Sequence, residues 1–93
     1  MRIKANDIQI NYELSGKKGA ATVVLSHSLA SSLLMWNPQM DALTPSFQIL
    51  RYDVRGHGAS DAPPGPYTLE LLAGDVIGLL DALGIGQAHF VGL

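Results

Sequence analysis

The sequence predicts an α/β fold in which an antiparallel β-hairpin leads into a mainly parallel sheet with crossover helices. Three observations carry this expectation. Ile8-Gln9-Ile10-Asn11-Tyr12-Glu13-Leu14 alternates apolar and polar at period two, the pattern of a strand with one buried face. Ala21-Thr22-Val23-Val24-Leu25-Ser26 is apolar and β-branched without alternation, as expected of a strand covered on both faces. Helical stretches separate the later strand candidates, and parallel neighbours need such crossovers.

Taken in order, Asn6-Asp7 precedes the alternating run, and both residues tolerate the positive φ of a tight hairpin turn. Ser15 through Gly19 is a polar loop before the first central strand. Asn37 followed by Pro38 reads as an N-cap and first helical position; Met40 and Leu43 continue a short helix that Pro45 ends. Phe47 through Asp53 is the next strand, closed by Arg55-Gly56-His57-Gly58, where the glycines permit a sharp turn. Asp61 through Pro66 carries three prolines and is a loop. Thr68 is the N-cap of a longer helix, with Glu70 in its first turn, where the helix dipole favours an acid. Leu69, Leu72, Ala73, Val76, Leu80 and Leu83 share one face of it, and Gly84 stops it. Ala88-His89-Phe90-Val91 is the last strand, followed by Gly92-Leu93.

Composition narrows the function. With 93 residues the chain is one domain or a piece of one. Hydrophobic residues at 47% against 15% charged supply a core and exclude a disordered chain. Six Lys and Arg against eight Asp and Glu give a net charge of −2 with no basic cluster, so nucleic acid is not an expected partner. The absence of cysteine excludes a disulfide, a thiolate metal site and a cysteine nucleophile within this span, and fits a reducing compartment. No run approaches the ~18 apolar residues of a membrane span and the start lacks an apolar leader, so the reading is cytoplasmic and not membrane-bound. His27, His57 and His89 lack metal-ligand spacing, so neither a metal nor another cofactor is expected.

Ligand sites of open α/β sheets lie beyond the carboxyl ends of the parallel strands. The places to look are therefore Ser26-His27-Ser28-Leu29-Ala30, the segment Asp53 to Ser60, and Gly92-Leu93. The first of these has no glycine, so it is not the glycine-rich turn that binds a dinucleotide pyrophosphate. From Val23 to Leu93 the chain instead resembles the α/β-hydrolase family. The residues that carry the resemblance are His27-Ser28-Leu29, Arg55-Gly56-His57-Gly58-Ala59-Ser60, and Gly92-Leu93, which match the first two positions of a Gly-x-Ser-x-Gly nucleophile elbow. Leu25 to Leu29, Met35-Trp36, Arg51-Tyr52-Asp53 and Pro63 to Tyr67 are similar to the bacterial 3-oxoadipate enol-lactonase subgroup and its esterase relatives. Many members of that subgroup carry asparagine at the position of His27 and share Ser28 in place of glycine.

The resemblance implies that residues 1–93 are the N-terminal portion of a single hydrolase domain, incomplete without its C-terminal part. A serine immediately after Leu93 would attack a small-molecule ester or lactone, with the rest of the triad further on. The Leu29 backbone N–H would supply half of an oxyanion hole, with His27 and Ser28 supporting the loop. Alternatives are an aspartate nucleophile, as in dehalogenases and epoxide hydrolases, or a non-catalytic ligand-binding scaffold. On its own the segment is not expected to be a stable active unit, because its last strand is an apolar edge.

Each candidate also has a plainer role. His27 is read as bracing its own loop through backbone groups, with substrate contact as the alternative. Ser28 has neither a base nearby in sequence nor the strained turn of a nucleophile. His57 belongs to a shape-setting glycine turn, and Asp53 and Arg55 are expected to pair with each other or with nearby backbone. Trp36 is either core or the wall of a substrate pocket, and His89 is expected to be half-buried and hydrogen-bonded.

Overall fold

The computed structural model of the chain describes residues 1–92. The elements are β1 (Arg2–Ala5), β2 (Ile8–Gly16), β3 (Thr22–Ser26), a 3₁₀ turn (Leu33–Trp36), α1 (Asn37–Leu43), β4 (Gln48–Tyr52), α2 (Leu69–Ala82) and β5 (His89–Gly92). Among the described residues the strands form one sheet in the order β1-β2-β4-β3-β5. The β1/β2 and β2/β4 pairs are antiparallel, whereas β3 runs parallel to both β4 and β5. This is the expected α/β arrangement of a hairpin feeding a parallel set.

Asn6 and Asp7 take φ of 50° and 68°, the left-handed pair that matches a two-residue turn to the twist of its strands. Strand parity then sorts the core. Val24 and Leu50 face α2 together with Ile8, Ile10, Tyr12 and Tyr52, closing on Leu79. Leu25 and Ile49 face the other way, against Trp36 and the flank of α1 at Met40 and Leu43. The two crossover helices therefore cover opposite faces, as right-handed connections in opposite directions require.

Helix α2 meets its expected face in part. Val76, Leu80 and Leu83 pack against the core, whereas Leu69 is 85% exposed and Ala73 is exposed, and the fully buried residues are Asp75 and Leu79. The cause is the glycine pair on its inner side. A Cβ at Gly74 would stand 3.2 Å from Asn6 Nδ2, and one at Gly78 3.2 Å from the Asn6 backbone N, so the hairpin turn packs directly onto the helix backbone. The start of α2 follows the sequence, with Thr68 Oγ1 accepting the Leu71 N–H at 3.1 Å. Its end does too: Gly84 has φ 72°, and the Ile85 and Gly84 N–H groups return to the carbonyls of Leu80 and Asp81.

The cap of α1 is also a correction. Ser32 caps the 3₁₀ turn through the Leu34 N–H, and this turn runs straight into α1, so Asn37 lies inside the helix. The Asn37 amide oxygen instead accepts from Arg51, a buried strand residue that also donates to the Leu33 carbonyl and pairs with Glu13. Among the described residues no helix is long and apolar enough to cross a membrane.

Candidate active site

Register places the strand exits side by side. Ser26 at the end of β3 is level with Tyr52 of β4 and with Gly92 of β5. The Ser26 and Tyr52 hydroxyls are 3.0 Å apart. Burial pushes the Tyr52 phenol above its ordinary pKa, Ser26 pulls it back in part, and Asp75 adds to the rise. The loop from His27 to Ala30 and whatever follows Gly92 thus start from adjacent strands at one end of the sheet.

His27 is 4% exposed. Its Nε2 accepts the Val54 N–H at 2.9 Å, and Nδ1 lies 2.8 Å from the Ser28 carbonyl oxygen. A backbone N–H only donates and a carbonyl only accepts, so the ring is the neutral Nδ1–H tautomer. His27 is a brace. Ser28 turns its hydroxyl to Met35 Sδ at 3.3 Å. Leu29 has a side chain 88% exposed, and no acceptor among the described residues takes its N–H. Ala30 then takes φ 57°, a left-handed conformation unusual for a residue with a Cβ.

The turn after β4 is the anchor. Asp53 Oδ1 accepts the Leu33 N–H at 2.8 Å, and Oδ2 accepts both the Ala59 N–H and the Asn11 side-chain amide at 2.9 Å. Burial alone would raise its pKa, but these hydrogen bonds outweigh that and hold it below the usual carboxylate range. Gly58, with φ 50°, is required here, because a Cβ would fall 2.3 Å from the Asp53 carboxylate. His57 packs its ring 5.2 Å from that of His27 and bonds the Arg55 carbonyl through Nδ1, a structural role.

Of the two expected arrangements, Asp53 takes the bonds to nearby backbone and does not pair with Arg55. Arg55 reaches across to α2, where Nε and Nη2 grip the Asp75 carboxylate at 2.8 and 2.7 Å. Asn6 donates to the same carboxylate at 2.8 Å. Sequence reasoning missed Asp75; its signal was an acid set among apolar residues of an otherwise buried helix face. It missed Asn11 and the Val54 amide as well.

Trp36 is also resolved. It is buried against Leu25 and Ile49 on the α1 face, packs as core, and does not line the groove at the strand exits. That groove, about 650 Å³, runs from Leu29, Ser26 and His27 down between α2 (Leu72, Val76) and Phe90 of β5. His89 is exposed on the edge strand and not half-buried. Gly92 is in place beside Ser26, with a would-be Cβ 3.1 Å from the Phe90 ring, whereas Leu93 lies outside the described residues.

Known proteins share this architecture. A family profile described as alpha/beta hydrolase fold matches residues 21–93. 3-Oxoadipate enol-lactonase 2 of Acinetobacter baylyi is 41% identical over 91 residues, covering 98% of this chain and 34% of that protein. The crystal structure of the enol-lactonase from Burkholderia xenovorans LB400 superposes with a TM-score of 0.97 at 48% identity, over 100% of this chain and 36% of that one. A thermophilic esterase from Thermogutta terrifontis does so with a TM-score of 0.93 at 31% identity, over 100% and 36%. The chain thus spans about a third of the length of these relatives. With the profile matched across most of the chain and the strand order, crossovers and exit loops in agreement, the protein belongs to the α/β-hydrolase fold family.

Proposed function

We propose that these residues are the N-terminal part of a hydrolase that opens carboxylic esters or small lactones, with an enol-lactone as the sharpest form of substrate. The observation that carries this reading is the register of Ser26 with Gly92, which starts the Leu29 loop and the segment after β5 from neighbouring strands. In the proposed reaction a serine following Leu93 adds through Oγ to the substrate carbonyl carbon, and the carbonyl π pair moves onto oxygen. The Leu29 N–H donates to that oxygen, and the residue after the serine donates a second bond. A histidine base from the later chain takes the serine proton and returns it to the leaving oxygen as the ring or ester bond breaks. Water then releases the acyl group.

Exposed Phe90 of β5 and exposed Ile77 of α2, which line the groove together, support the view that further chain of the same domain covers this face. The test uses the full-length protein with a chromogenic short-chain ester and an enol-lactone, followed by absorbance. Turnover of either, abolished when the residue after Leu93 is replaced by alanine, is the expected result. No turnover of both, with no labelling by a serine-directed fluorophosphonate, would favour a binding scaffold and sink the reading.

A further inference from the structure

We propose that the Ser26 and Tyr52 hydroxyls form a two-step hydrogen-bond relay that positions the segment beyond Leu93 from beneath, with Tyr52 acting through Ser26; this rests on the reading that the nucleophile lies in that segment. Ser26 is level with Tyr52 on one side and with Gly92 on the other. A Cβ at Gly92 would stand 3.9 Å from the Ser26 Cβ, so the Ser26 side chain lies against the backbone from which that segment departs. Ser26 has the strand parity of Val24, and Tyr52 that of Leu50. Both hydroxyls therefore turn to the α2 side of the sheet and into the groove between α2 and β5.

The groove has little else to bond with. Of the side chains lining it, Ser26, Tyr52 and His27 can hydrogen-bond, and both His27 nitrogens are already engaged by the Val54 N–H and the Ser28 carbonyl. The two hydroxyls lie 3.0 Å apart, a distance at which one donates to the other. Two hydroxyls carry two protons, and their mutual bond uses one. The second has no acceptor among the described residues, although Tyr52 is only 5% exposed and Ser26 is half-buried. A phenol is the more acidic hydroxyl and the better donor, so the Tyr52 O–H goes to Ser26 Oγ and Ser26 keeps the free proton. Donation from Tyr52 polarises that proton toward a further acceptor. The acceptor is a carbonyl or side-chain oxygen of the segment beyond Leu93, because a buried donor left unpaired is costly and the rest of the groove is apolar.

A relay and two independent contacts differ in how their removals combine. The full-length protein is assayed with a chromogenic ester for kcat and KM. A serine-directed fluorophosphonate gives the second-order labelling rate, which reads the nucleophile without the ester. Ser26→Ala removes the last donor and is expected to lower kcat and the labelling rate by about 10-fold, with KM within about twofold. Tyr52→Phe leaves Ser26 its proton but not the polarisation, and the expected loss is about threefold. In the double variant the loss should equal that of Ser26→Ala alone, because Tyr52 has nothing left to act through. Wild-type rates in Ser26→Ala, or losses that multiply in the double variant, would overturn the proposal while leaving the hydrolase reading intact. A wild-type protein that neither turns over the ester nor takes the label would instead strike the nucleophile itself, and the relay with it.

Discussion

Two segments leave the sheet at the same level and are built in opposite ways. The turn after β4 closes on itself: Gly56 N–H goes to Asp61, His57 N–H to Val54, Ser60 N–H to His57, Ala59 N–H to Asp53, and the Ser60 hydroxyl to the Asp53 carbonyl. The loop after β3 has few bonds of its own and takes its anchors, Val54 and Asp53, from that turn. Under the oxyanion role proposed above for Leu29, that loop cannot spend this donor on itself. The difference shows how one strand exit can be held in shape by anchors that belong to the next, leaving the Leu29 N–H without an acceptor among the described residues.

Removing the hub of the closed turn should break this division most severely. Asp53→Ala leaves the Leu33 and Ala59 N–H groups and the Asn11 amide without their acceptor. At ~1–3 kcal/mol for each unpaired buried donor, partly relieved by water, the expected loss of stability is about 4 kcal/mol. Denaturant unfolding of the full-length protein measures it, and a loss below about 1 kcal/mol would show that the turn holds without its carboxylate. Gly58→Ala tests the same hub from outside. The added Cβ meets the carboxylate at 2.3 Å and sits at φ 50°. A cost of about 2–3 kcal/mol is expected, from left-handed strain and displacement of Asp53 together.

The carboxylate also makes the anchor acid-sensitive, more mildly. Asp53 titrates below its ordinary value of 3.8 in the folded protein, so near that pH the unfolded chain binds more protons. Its contribution is fully present above the unfolded value and is lost as pH falls through the lower folded one. Asp61, held low by the Gln9 N–H and by Arg2, moves in the same direction, so the comparison must be with Asp53→Asn. That variant should show a shallower decline in unfolding midpoint between about pH 5 and pH 2. Parallel curves for the two proteins would remove Asp53 from the acid response.

Which features were readable from sequence follows from the distance over which their causes act. Asn6-Asp7 and Gly84 were legible because a left-handed turn residue is a local requirement. The place of Leu29 at a strand exit was legible because the apolar β-branched run before it ends at Ser26. The face of α2 was legible only in part: Val76, Leu80 and Leu83 pack as expected, but Gly74 and Gly78 look like weak helix formers until Asn6, far away in sequence, is packed against them. Asp75 was missed for the same reason: its partner Arg55 lies 20 residues away. Backbone donors such as Val54 N–H have no residue signature at all. Trp36 stood open between core and pocket because only strand parity in three dimensions decides which side of the sheet it serves.

The gentlest test acts on the open exit and should have the opposite sign. Ala30 holds φ 57°, and for a residue with a Cβ this costs about 1–2 kcal/mol. Glycine removes that cost but carries about 0.5–1 kcal/mol of extra backbone freedom in the unfolded chain. Ala30→Gly should therefore leave stability unchanged or raise it by up to about 1 kcal/mol, read as a small upward shift in Tm. Because Ala30 follows Leu29 directly, the freed backbone should also loosen the Leu29 amide, so kcat should fall even as Tm holds or rises. A Tm drop worth more than about 1 kcal/mol would mean that the Ala30 methyl packs in the folded protein and that the loop owes its shape to its own contacts more than to the anchors beside it.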